Sequence, residues 1–81
     1  MFSEYVIREK VMEYIVRVSK DRGIDPEQDL FTMRFSNSLF YMQLILFIEK
    51  EFDISVDNND IGGESFRTIN GICQYVTLKL A

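Results

Sequence analysis

Ser38-Leu39-Phe40-Tyr41-Met42-Gln43-Leu44-Ile45-Leu46-Phe47-Ile48-Glu49-Lys50-Glu51-Phe52 is the run on which the fold turns. Tyr41, Leu44, Ile45, Ile48 and Phe52 recur at i, i+3, i+4, i+7 and i+11, the period of a helix with one buried side. Ser36 or Asn37 stands where its N-cap belongs. The run holds more apolar residues than one buried stripe can use, because Leu39, Phe40, Met42, Leu46 and Phe47 lie on its flanks or beyond. A broad buried side covered by a neighbouring loop would take in Leu39 and Leu46. Phe40 and Phe47 are harder to bury beside Tyr41 and Ile48. The expectation is an exposed apolar patch, the mark of a docking surface for a partner protein.

Towards the N-terminus, Ser3 to Arg22 places Ile7, Val11, Tyr14, Ile15 and Val18 at helical spacing, with Glu9, Glu13, Arg17 and Lys20 on the other side. Ser3 can cap this helix, Glu13 and Arg17 form an i,i+4 pair, and Gly23 can take the left-handed conformation that closes it. From Ile24 to Asn37 there is no period, and Asp25-Pro26 disfavours helix at Asp25. This stretch reads as a long loop over the core, anchored by Ile24, Leu30 and Phe35.

Towards the C-terminus, Asp53 to Ser65 contains Asp57-Asn58-Asn59-Asp60 and Gly62-Gly63, a composition that allows at most one short helix in a flexible connection. Ile69, Ile72, Cys73, Val76 and Leu80 then repeat the helical pattern behind Thr68, whose hydroxyl can cap the next amides. Three amphipathic helices, a short one and no alternating pattern make a small all-α bundle.

With 81 residues the chain is a single domain, 1–81, and 47% hydrophobic against 27% charged residues suffices for one packed core. No intramolecular disulfide can form from one cysteine. No histidine is present, so the commonest general base and the usual zinc ligand are missing, and self-contained hydrolysis is not expected. Nine basic against thirteen acidic residues argue against a nucleic-acid surface and for partners that carry basic patches. The longest apolar stretch, Leu44 to Ile48, falls far short of the roughly 20 residues of a bilayer span. The start lacks a basic and then apolar secretory signal, so no membrane association is expected and the location is expected to be cytoplasmic.

Phe35-Ser36-Asn37-Ser38-Leu39, followed by Glu49-Lys50-Glu51-Phe52-Asp53-Ile54 and by Phe66-Arg67-Thr68-Ile69, resembles the acyl carrier and peptidyl carrier protein family. The attachment motif of that family reads Gly-x-Asp-Ser-Leu at the start of its second helix, and Ser38 occupies the serine position. The resemblance runs from the first helix to Val76. It implies a four-helix bundle of three long helices and one short one, working as a monomer without catalytic residues. It also implies 4′-phosphopantetheine, delivered from coenzyme A by a phosphopantetheinyl transferase and attached to Ser38, with an acyl or aminoacyl cargo held as a thioester. An adenylating or acyl-loading enzyme would load the arm and downstream acyl-accepting enzymes would unload it. Asn37, Leu39, Phe40, Met42 and Phe47 are the expected partner-binding residues.

Two positions depart from the family pattern. Phe35 stands for its glycine, and Asn37 for the aspartate that helps hold the metal in the complex with the transferase. Asparagine still caps a helix but brings no charge. The second helix has no acid before Glu49, unlike the strongly acidic one of fatty-acid carriers, which leans the cargo toward secondary-metabolite or aminoacyl groups. A helical adaptor that is never modified, or a toxin–antitoxin-like interaction module, is the competing reading.

The residues also support the site without the family. A serine at a helix N-terminus puts its oxygen where backbone amides and the helix dipole favour an anion, so a phosphodiester there is stabilised. The bland alternative is a simple cap. Elsewhere the bland readings are preferred: Cys73 as a small buried hydrophobe, Asp57 to Asp60 and Gly62-Gly63 as turns, and Glu49-Lys50-Glu51 as a solvated helix end.

Overall fold

The computed structural model describes residues 2–81, and three α-helices carry the architecture. They are α1 (Glu4–Ser19), α2 (Ser38–Phe52) and α3 (Ile69–Leu80). Each begins at the expected cap: the Val6 amide donates to Ser3 Oγ at 3.2 Å, Leu39 to Asn37 Oδ1 at 2.8 Å, and Gly71 to Thr68 Oγ1 at 2.9 Å. No helix of the described residues is long and apolar enough to cross a membrane.

The end of α1 departs from expectation. It stops at Ser19, three residues before Arg22, and Lys20 rather than Gly23 takes the left-handed conformation (φ 60°). Ser19 turns its hydroxyl back to the Ile15 carbonyl at 2.7 Å, and Asp21 Oδ1 accepts from the Gly23 amide at 2.9 Å. These side chains supply the local bonds that another turn of helix would have made. The Glu13–Arg17 pair does not close into a salt bridge; Arg17 lies over the Tyr14 ring, 5.5 Å from its centroid.

The helices pack around one core. α2 runs antiparallel to α1, with Phe2 edge-on to Phe52 at 5.0 Å, Lys10 paired with Glu51 at 3.3 Å, and Tyr14 stacked on Phe47 at 4.1 Å. On its other flank α1 meets α3, where Arg8 donates to Asn70 Oδ1 at 2.6 Å. Ile45, Ile48, Phe52, Ile72 and Val76 are all buried in one cluster, as their spacing predicts. Leu80 is the exception on α3: it is partly exposed in the last turn, and Tyr75 joins the core in its stead.

The long loop from Ile24 to Asn37 does lie on the core through Ile24, Leu30 and Phe35, all buried. It is more ordered than a plain loop, with 3-10 turns at Leu30–Thr32 and Arg34–Ser36. It is stitched to the start of α3: the Leu30 amide donates to the Arg67 carbonyl at 2.7 Å, Asn70 to the Pro26 carbonyl at 3.1 Å, and Arg67 Nε to Asp29 Oδ2 at 3.0 Å. In the second connection the helical piece is a single 3-10 turn, Glu64–Phe66, with Phe66 fully buried.

Candidate functional site

Ser38 is exposed and is the first residue of α2. The cap oxygen comes from its neighbour: Asn37, in extended conformation, accepts from the Leu39 amide, while the Asn37 carbonyl accepts the first helical bond from Tyr41 at 3.0 Å. The capping role is therefore filled by Asn37. Phe35 has a clear purpose where the resemblance implies glycine. It is buried to 1% exposure and pins the 3-10 turn that leads into the cap. No acid stands in the first turn of α2, so the positive end of the helix dipole at Ser38 is not offset by a carboxylate of that turn.

Along α2 the surroundings divide its extra apolar residues. Leu39, Met42 and Leu46 are exposed at 61%, 41% and 60%, and their i, i+3, i+7 spacing makes one stripe that starts beside Ser38. Phe40 and Phe47, expected on that patch, are half-buried against the core, and Phe47 is the ring that stacks on Tyr14. Leu46, which a broader buried side would have covered, stands in solvent. The correction has a simple cause: α1 passes along the Phe47 side of α2, and the 24–37 loop does not reach over Leu39 or Leu46.

The acids at the end of α2 are partly committed to the fold. Glu49 extends its carboxylate to the Val56 amide at 2.8 Å, and its carbonyl accepts from Ile54 at 3.2 Å, so it ties down the chain leaving the helix. Glu51 pairs with Lys10. Glu49 is thus a tie between helix and connection, which its place in a charged triplet did not reveal.

Two tyrosines hold the connection that follows. Tyr41 of α2 accepts from the Gly62 amide at 2.6 Å, with Gly62 at φ +87°, a conformation that glycine tolerates. Tyr75 of α3 accepts from the Asp57 amide at 3.3 Å and donates to Asp60 Oδ2 at 2.9 Å. Burial pushes both phenols up, with the backbone amides pulling the other way. Asp57 to Asp60 forms turns, as read from composition. Cys73 is buried, and its desolvated thiol is pushed up while Arg8 pulls it down more weakly. A thiol kept protonated in this way is a poor nucleophile.

An open groove of about 920 Å³ lies away from Ser38, on the outer side of α1 between Tyr5 and Arg22, with Met12 and Val16 on its floor. No family model matches the chain, and no solved structure matches it.

Proposed function

We propose that this protein is a carrier that holds an acyl or aminoacyl group on a 4′-phosphopantetheine arm at Ser38 and passes it between enzymes. The observation that carries the reading is the position of Ser38: exposed, first in α2, with the cap bond accepted by Asn37. Its hydroxyl is accessible to a transferase, and a phosphodiester formed there would face the amide end of the helix. The bound group supplies the thiol that forms the thioester; the chain supplies placement and recognition.

The remaining features fit this assignment. Phe35 and Asn37 hold the entry to α2 so that Ser38 has a defined position. The three α-helices and the 3-10 turn Glu64–Phe66 support this reading, in which that turn would take the place of the short helix of the four-helix carrier bundle. The stripe Leu39, Met42 and Leu46 next to Ser38 is the surface on which the phosphopantetheinyl transferase, the adenylating or acyl-loading enzyme and the acyl-accepting enzymes would dock. Its lack of charge up to Glu49 favours an aminoacyl or secondary-metabolite cargo over a fatty-acyl one. A non-modified adaptor using the same stripe is the second reading, favoured by the uncharged Asn37.

Coenzyme A and a broad-specificity transferase decide between them. The wild type is expected to gain the mass of one phosphopantetheine arm and Ser38→Ala none. Asn37→Asp is expected to speed the reaction. A wild type left unmodified where a control carrier is fully modified overturns the carrier reading and leaves the adaptor.

A further inference from the structure

We infer that the outer side of α1 pairs with the same side of a second copy of this chain, antiparallel and about a two-fold axis level with residues 14 and 15. The inference goes beyond the carrier reading and does not draw on Ser38; it replaces the monomer that the resemblance implies.

The surface is a shallow groove floored by the half-buried Met12 and Val16, with the exposed ring of Tyr5 at one end and Arg22 at the other. Its charges are sorted along the helix: Glu9 and Glu13 come first, Arg17 and Lys20 second. All four are exposed, and within the described residues neither they nor Arg22 take part in a salt bridge. Arg8, the basic residue out of order, is held aside by Asn70.

That order makes the surface self-complementary. An antiparallel copy centred level with residues 14 and 15 sets Glu9 opposite Lys20 and Glu13 opposite Arg17, and the two-fold axis makes each pairing twice. The arrangement also opposes the two helix dipoles and lays Met12 of each copy close to Val16 of the other across the centre. Tyr5 then lies within reach of the Arg22 guanidinium of the other copy, a cation over an exposed ring. A partner of single charge would leave one half of this surface facing like charge, so a second copy fits it better than a uniformly acidic or basic protein. The contact is small and partly solvated, so the dimer should be weak and sensitive to salt.

Sedimentation equilibrium at low salt, up to about 1 mM chain, reaches the weak end of protein association. The weight-average mass is expected to climb from 9.6 kDa towards twice that value, and to fall back at high salt. Glu9→Lys with Glu13→Lys, and separately Arg17→Glu with Lys20→Glu, each put like charges across the axis. Each double variant should remain at the single-chain mass while keeping its helical circular dichroism. Mixed in equal amounts they restore all four pairings, and the mixture should associate again. A wild type that stays at the single-chain mass at the highest concentration overturns the proposal. Double variants that associate like the wild type, or folded ones whose mixture fails to associate, overturn it as well.

Discussion

The two sides of α2 are built from the same kinds of residue and have opposite fates. One side, Tyr41, Leu44, Ile45, Ile48 and Phe52, is buried against α1, α3 and the connections; the other, Leu39, Met42 and Leu46, faces water, and Phe40 and Phe47 divide them. A leucine at 44 is fully buried and a leucine at 46 mostly exposed, two residues apart. Hydrophobicity decides that a helix will bury a side. It does not decide how wide that side is, because the width depends on what packs alongside.

The comparison can be broken by truncating one residue at a time across the helix. Ile48→Ala should cost about 2 to 5 kcal/mol, the range for a buried aliphatic side chain losing its contacts and leaving a cavity. For a domain of this size that is a large share of the roughly 4 to 12 kcal/mol available. A urea midpoint equal to wild type would put Ile48 on the surface and rotate the helix. Phe47→Ala should cost less, about 1 to 2 kcal/mol, for a half-buried ring and its stack on Tyr14. Tyr14→Ala combined with Phe47→Ala should then cost less than the sum of the two, and strict additivity would show that the stack contributes nothing.

Tyr41→Phe sharpens the boundary between α2 and its connection, with an expected loss of about 1 kcal/mol for the hydrogen bond to the Gly62 amide. Burial raises this phenol above its ordinary value of 10, so the fold favours the neutral form. That contribution is fully present below pH 10 and is lost as pH climbs through the raised value. Stability of the wild type should therefore fall above pH 10, and Tyr41→Phe should fall less steeply. Parallel curves would remove Tyr41 from the titration.

The smallest effect on stability belongs to Leu46→Ala, within about 0.5 kcal/mol, since nothing is uncovered by the change. On the carrier reading the same variant should slow loading several-fold, with little dependence on salt, because the stripe offers no charge. A destabilisation well above this range would show that Leu46 is covered after all. Normal loading that collapses with salt would shift docking to the charged residues.

The helices themselves were legible in the residues. Local rules suffice where a period of 3.6 meets a good cap: Asn37 and Thr68 begin α2 and α3 where the spacing predicts, and the buried pentad of α2 is the one its repeat picks out. Ser38 at the head of α2 follows from the same rules. The end of α1 was less legible, because Ser19 and Asp21 compete with the backbone through side-chain bonds that hydrophobic periodicity does not register.

Tertiary packing alone decided the rest. Phe47 is half-covered because Tyr14, thirty-three positions earlier, lies flat against it, and Leu46 is bare because nothing crosses its side of the helix. Glu49 reads as one acid in a charged triplet until the returning chain brings the Val56 amide to its carboxylate. Tyr41 and Tyr75 meet the 57–62 turns only once α2 and α3 are in place. Period and caps act over a few residues, so sequence determines them. The width of a buried side and the partner of a polar group depend on segments distant in the chain, and only the assembled bundle brings those together.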